Sequence, residues 1–229
     1  MTTAATLAGL TWTDVRAAGP FTLLLPVGAT EQHGPHLPCT TDTEIAAALA
    51  TGAAARVPGT IVAPALPYGS SGEHAGFAGT LSIGAEATEL VLLELGRSAR
   101  GSAARVVLVS THGGNAAPVT RAATRLAEEG TAVDVFWPRW PGPGDAHAGR
   151  TETSLMLALA PDRVVPARAE AGDPRPLARL LPDLRARGVA AVSPNGVLGD
   201  PSGATAEEGR RLLDAAVDDL VHLVTGVGT

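Results

Sequence analysis

Lysine is absent: all 17 basic side chains among the 229 residues are arginine. Without an ammonium on a flexible stem, the chain cannot be a Schiff-base enzyme, a P-loop NTPase or a protein kinase. A single cysteine, Cys39, excludes intramolecular disulfides and cysteine-based zinc ribbons and fits a reducing compartment. It is expected to be an inert, buried thiol rather than a nucleophile. Aromatics make up only 3% of a chain that is 45% hydrophobic, so the core must be built from Ala, Val and Leu. No apolar run approaches a membrane span, and MTTAATLAGL lacks a basic region and a long apolar stretch. A soluble cytoplasmic protein with no signal peptide and no membrane partner is expected. The formal net charge of -6 disfavours a nucleic-acid partner. The only basic stretch holds the arginines between Arg168 and Arg187, expected to be a solvated face or subunit contact rather than an anion site.

Apolar runs of strand length alternate with Ala-rich helical segments. The strands are read at Phe21 to Val27, Ile61 to Leu66, Arg105 to Val109 and Ala132 to Trp137. Helices are read at Asp42 to Val57, Ala85 to Arg100, Ala116 to Glu129 and Glu152 to Ala160. Continuous rather than alternating apolar strands belong to sheets covered on both faces, and strand-helix alternation implies right-handed crossovers. The expected fold is therefore α/β, a three-layer α/β/α arrangement with a mostly parallel sheet, and the length fits one domain over 1–229. Pro166 to Gly188 shows broken helical periodicity. Thr205 and Glu208 have capping-box spacing before a closing helix that carries Leu212, Leu213, Val217, Leu220 and Val221.

In an open parallel sheet, ligands gather beyond the carboxyl ends of the strands. Five of the six histidines, His33, His36, His74, His112 and His147, fall in the loops that follow strands. Glu31 and His33, two apart in an extended segment, project to the same side. Asp42 begins a helix, where Thr41 and Glu44 have capping-box spacing and the dipole favours an ionised carboxylate. His112 leaves its strand on a Gly-Gly turn, and Glu152 starts a helix five residues after His147. Carboxylates and imidazoles from separate strand ends form the mixed oxygen and nitrogen set that suits Zn, Mn or Fe. His36, between two prolines, is expected to shape its loop. Glu73 and His74 sit in a glycine-rich loop, where a substrate-contacting or proton-handling role is as well supported as a local one. No G-x-S-x-G elbow, no H-E-x-x-H and no G-x-G-x-x-G after a strand is present.

The segments VGATEQHGPHLPCTTDTEIA, PYGSSGEHAGFAGTLSIG, STHGGN, DAHAGRTETS and SPNGVLGDPSGAT, in that order, resemble the creatininase (creatinine amidohydrolase) family of metal-dependent amidohydrolases. Within it, GEHAGFAGTLSIG and VAAVSPNGVLGDPSGATAEEG are most similar to the mycofactocin-system branch. That branch cleaves a modified precursor peptide and releases its crosslinked C-terminal Val-Tyr dipeptide. The resemblance implies metal ligation by Glu31, His33, Asp42 and His112, with Asp42 bridging two divalent ions per subunit. It places His147 in acid/base work near the substrate, and in the mechanism that follows His147, or Glu73 through water, moves a proton to the leaving nitrogen. It also implies a homo-oligomer, a hexamer. The family's further carboxylate two residues beyond His112 is replaced by Gly114, and Glu152 is the expected substitute. A cyclic-amide or formamide substrate, and a non-catalytic metal- or peptide-binding role, are the competing expectations, with Trp137 to Gly144 as the loop that discriminates substrates.

Overall fold

Continuous apolar runs build the sheet of this protein, whose computed structural model describes residues 4–140 and 145–226. Among the described residues, the strands are β1 (Ala5–Thr6), β2 (Phe21–Val27), β3 (Thr60–Val62), β4 (Ala103–Ser110) and β5 (Val133–Phe136). They pair in the order β1-β3-β2-β4-β5, and every pairing is parallel. Helices α1 (Trp12–Ala17), α2 (Thr41–Ala54), α3 (Gly84–Ala99), α4 (Ala116–Glu128), α5 (Arg150–Leu159), α6 (Leu177–Arg187), α7 (Val189–Val192) and α8 (Ala206–Thr225) complete the chain.

Strand side chains alternate between faces, so both faces of this sheet must be covered. Leu24, Val62, Val107 and Val109 pack on one side with Ile45 and Leu49 of α2, Leu155 and Met156 of α5, and Leu212, Ala216 and Leu220 of α8. Leu25, Val27, Val106 and Leu108 pack on the other with Leu92 and Leu93 of α3 and Val119, Ala122 and Leu126 of α4. The result is the expected three-layer α/β/α fold. Its poverty in aromatics is met by close approach of helices: a Cβ at Gly96 of α3 would collide with the Leu126 side chain of α4.

The chain leaves β2 for β3 on one side and then crosses back to β4 on the other. That reversal opens a crevice at the carboxyl ends of β2 and β4, where Val27 and Ser110 are register partners. The loops after β2 and β4 face each other there.

Local details depart from the sequence pattern in explicable ways. The strand expected at Ile61 to Leu66 ends at Val62, because Pro64 lacks a ladder donor and only a bridge from Val27 to Leu66 follows. Helix α2 begins at Thr41 rather than using it as a cap. Thr40 precedes it and donates its hydroxyl to Glu44, while Thr41 donates to the Pro38 carbonyl, so the Thr41/Glu44 capping box does not form. At α8, Thr205 does cap, accepting from the Glu208 amide at 3.1 Å, but the Glu208 carboxylate turns instead to Arg150 and Ser154. The segment of broken periodicity contains α6, which is helical through Pro182 and buries Leu180 and Leu184. Helices α6 and α7 form a small satellite core with Phe77, Ala146 and Leu198. They lie over the strand-end loops.

Candidate metal centre

Three strand-end loops meet beyond β2 and β4, and Asn115 clamps them. Its Oδ1 accepts from the Ser70 amide at 2.9 Å, and its Nδ2 donates to the Gly28 carbonyl at 2.9 Å. Thr111 adds a further tie, donating its hydroxyl to the Asp42 carbonyl at the start of α2. Against this frame sit Glu31, His33, Asp42, His74, His112 and His147, each buried, with Glu152 from the first turn of α5 reaching the same point.

The imidazoles are aimed. His33 donates from Nδ1 to the Glu31 carbonyl at 3.1 Å, which leaves Nε2 facing Asp42 Oδ2 at 3.5 Å and Glu152 Oε2 at 4.0 Å. His112 donates from Nε2 to the Ser70 carbonyl at 2.9 Å, which leaves Nδ1 facing Asp42 Oδ2 at 3.6 Å. His147 donates from Nε2 to the Gln32 carbonyl at 2.7 Å, leaving Nδ1 toward Glu31 Oε1 at 3.7 Å. One nitrogen tied to a backbone carbonyl and the other turned toward the carboxylates is the arrangement of metal-ligating histidines. His74 has the opposite polarity: its Nδ1 accepts from Gln32 Nε2 at 2.9 Å, so its Nε2 proton points to Glu31 Oε1 at 3.3 Å.

Three groups of potential ligand atoms lie within 4.8 Å of one another: Glu31, Asp42 and His112; His33, Asp42 and Glu152; and Glu31, His33 and His147. Asp42 belongs to the first two. Both oxygens of Glu31, Nε2 of His33 and Oδ2 of Asp42 are buried without a hydrogen bond. Unpaired buried carboxylates are costly. Divalent cations are the group that this donor set fits.

The titration behaviour points the same way. Burial pushes Glu31 up to about 7, against the pull of His112. Burial opposes ionisation of Asp42 too, but His33 and His112 hold it below the ordinary value. Burial alone would depress His33; Asp42, with Glu152 and Glu31, overcomes it and drives the imidazole up to about 10. His112 is raised in the same manner by Glu31 and Asp42. The proton held by His33 thus stands beside Asp42, where a cation would sit. Burial, reinforced by neighbouring imidazolium charge, holds His74 down at about 3 and His147 well below its ordinary value.

The structure brings all five sequence-predicted ligand residues and His147 together. His36 lies outside the cluster, donating from Nε2 to, or accepting from, the Thr153 hydroxyl at 2.9 Å. Glu73 stands at the rim, its Oε1 3.9 Å from His112 Nε2. A Cβ at Gly114 would run into the Ser70 carbonyl, the His112 ring and Glu73 Oε1. Position 114 is therefore closed to any side chain, and Glu152 supplies the carboxylate beside His33. Glu152 is held by the Ala148 amide at 2.6 Å. Ala148 is the one non-glycine with positive φ, at 52°, among the described residues, and this strained turn links His147 to the helix that carries Glu152, five residues on. Sequence reasoning missed Gln32. Its buried amide donates to His74 and to the Gly196 carbonyl and accepts from the Gly34 amide, and its place between Glu31 and His33 was the only signal.

The cluster forms one wall of a cavity of about 560 Å³. Glu73 and Ala146 also line it, with Leu177, Leu181 and Leu184 of α6, Val189 and Leu198. The loop expected to discriminate substrates is described only as far as Trp140, and its residues 141–144 lie outside the described residues. No helix among the described residues is long and apolar enough to cross a membrane.

Residues 8–224 match the family model described as Creatininase: Creatinine amidohydrolase. The mycofactocin precursor peptide peptidase of Mycobacterium ulcerans (strain Agy99) is 52% identical over 211 residues, covering 88% of this chain and 84% of that protein. A solved creatinine amidohydrolase (creatininase) superimposes with a TM-score of 0.80 at 27% identity, covering 99% of each chain. Another solved structure, named Creatininase Mn, gives 0.80 at 27% identity over 97% of this chain and 98% of that one. The crevice at the strand ends, the shared aspartate between two ligand groups and the match along nearly the whole chain lead to one conclusion: this protein belongs to the creatininase (creatinine amidohydrolase) family.

Proposed function

We propose that the protein is a metal-dependent peptidase of mycofactocin biosynthesis, which hydrolyses an amide bond in the modified precursor peptide and releases its crosslinked C-terminal Val-Tyr dipeptide. The observation that carries the chemistry is the pair of buried ligand groups sharing Asp42, with four donor atoms left unpaired. The observation that favours a peptide is the 52% identity to a mycofactocin precursor peptide peptidase, against 27% to the creatininase structures.

Glu31, Asp42 and His112 would hold one divalent ion and His33, Asp42 and Glu152 a second; Zn, Mn and Fe all suit this donor set. Divalent cations there supply Lewis acidity toward an amide carbonyl and make water acidic enough to lose a proton near neutral pH. The chain's own groups do the rest. Burial holds the His147 imidazole well below its ordinary value, and its Nδ1 faces Glu31 while its Nε2 stays on the Gln32 carbonyl. His147, or Glu73 at the rim of the cavity acting through water, moves a proton to the leaving nitrogen. His74 keeps Glu31 oriented by its Nε2 proton, and Gln32 fixes that tautomer. Leu177, Leu181 and Leu184 of α6 give the cavity an apolar lining on which a substrate side chain can pack. No nucleophilic side chain is required.

The working unit in this reading is a single domain over 1–229, cytoplasmic and assembled as a homo-oligomer, a hexamer, with neither nucleic acid nor membrane as partner. The test is incubation of the modified precursor with the protein, with and without added Zn, Mn or Fe, followed by mass spectrometry. Metal-dependent appearance of the dipeptide is expected. An intact precursor alongside efficient opening of the creatinine ring would transfer the assignment to a cyclic-amide hydrolase.

A further inference from the structure

Helix α6 carries four leucines, and they divide between two tasks. Leu180 and Leu184 belong to the satellite core with Val189 and Leu198. Leu177 and Leu181 are four residues apart, so they are neighbours on one strip of the helix. Both line the cavity, yet neither belongs to a hydrophobic cluster among the described residues, and Leu177 is 45% exposed. Ala116 and Ala117, in the first turn of α4, line the same cavity and are likewise outside those clusters. The arginines of α6 follow the opposite pattern: Arg179, Arg185 and Arg187 are exposed, as expected of a solvated face.

A single exposed leucine is ordinary on a protein surface. Two on one strip, beside small alanines and in the same cavity as Asp42, Glu73 and Glu152, form an apolar area continuous with the ligand cluster. A molecule whose amide reaches that cluster shares the cavity with these side chains and is the occupant that can cover them. The volume of about 560 Å³ falls within the range of small-molecule sites, roughly 300–1,000 Å³, which are mostly apolar with a few polar groups that fix orientation. We propose that Leu177 and Leu181 form the specificity subsite of the enzyme, taking a large apolar or aromatic side chain next to the scissile amide, with Leu181 the selecting residue. The alanines of α4 leave room for a ring beside the leucines. The inference rests on the peptidase reading above and assigns the choice of peptide to α6, while the ligand cluster supplies the chemistry.

Calorimetric titration of the metal-loaded protein with valyl-tyrosine amide and with valyl-alanine amide tests the subsite without turnover. The two probes have the same charge and differ only in the phenol ring. Wild type should bind the tyrosine probe at least about tenfold more tightly, since even one methylene in an apolar pocket is worth about that factor. Leu181→Asn, which puts an amide where the ring would pack, should erase the preference, and the volume-conserving Leu181→Met should keep most of it. Equal thermal midpoints and metal contents for the three proteins establish that folding and the cluster are intact. A wild type that binds neither probe, or does not distinguish them, overturns the proposal, as does a Leu181→Asn protein with an undiminished preference. The modified precursor separates this inference from the reading beneath it. Cleavage with the same kcat/KM by wild type and Leu181→Asn removes the subsite and keeps the peptidase; an uncleaved precursor with a Leu181-dependent preference for the tyrosine probe keeps the subsite and removes the peptidase.

Discussion

Asp42 is the buried residue on which both ligand groups depend. Asp42→Ala should lower metal-dependent hydrolysis by roughly 100-fold or more and reduce bound metal in parallel, since even residues that only orient ligands are worth about 10- to 100-fold. Elemental analysis and turnover under metal-replete conditions check this; retained activity would remove Asp42 from the centre. Gly114 tests a different property, the need for no side chain at all. A methyl group there must displace the Ser70 carbonyl, the His112 ring or Glu73. Gly114→Ala should therefore cost about tenfold or more in kcat, because misplacement of site groups by about 1 Å has effects of that order. Unchanged kcat would show that the three neighbours move aside freely. The sequence marked Gly114 only as a missing carboxylate; what closes the position is tertiary, and no local pattern carries it.

Helix α5 is the element that delivers Glu152, and its entry is held at several points. Asp145 accepts from the Arg150 and Thr151 amides at the helix start, Ala148 donates to Glu152, and His36 reaches across to Thr153 at 2.9 Å. His36→Ala removes a buried ring and strands the Thr153 hydroxyl, so a loss of about 2–4 kcal/mol in stability is expected. Denaturant unfolding of the metal-loaded protein measures it. A loss of metal without a loss of stability would make His36 part of the centre rather than of its scaffold. At this scale much is legible: the apolar run Phe21–Val27 coincides with β2, and helical spacing places α2, α3, α4 and α5 to within a few residues. Those elements carry uninterrupted apolar runs or helical spacing. The two-residue β1 is too short to show a period. Helix α1 buries no residue and so has no apolar stripe, although Thr11 and Asp14 form a full capping box. In α6 the arginines and Pro182 break the pattern, and its stability comes from Phe77, Ala146 and Leu198 far away in sequence.

For the whole molecule, the ligand groups couple metal, protons and folding. His33 in the metal-free protein titrates at about 10, above the ordinary imidazole value of about 6.5, so the folded state holds a proton that the unfolded chain has lost. Its contribution is fully present below pH 6.5 and disappears as pH rises through 10. Glu31, raised to about 7, acts with the same sign at lower pH, and His74, held at about 3, acts with the opposite sign only below pH 6.5. Above pH 6.5 the metal-free protein should therefore weaken steadily. Each pH unit across the His33 window costs up to about 1.4 kcal/mol. For a chain of this size that is roughly 2–4 °C of thermal midpoint per kcal/mol. Divalent ions take over the charge of the His33 imidazolium, displace its proton and bind only the folded centre. The metal-loaded protein should accordingly unfold at higher temperature, with a midpoint that holds or rises between pH 7 and 9 while that of the chelated protein falls. Loading at pH 7 in weak buffer should release at least one proton, visible with an indicator dye. A chelated protein whose midpoint is level from pH 7 to 9, together with metal uptake that releases no proton, would mean that His33 is already neutral and that the electrostatics of the cluster are not those of an occupied pair of cation sites.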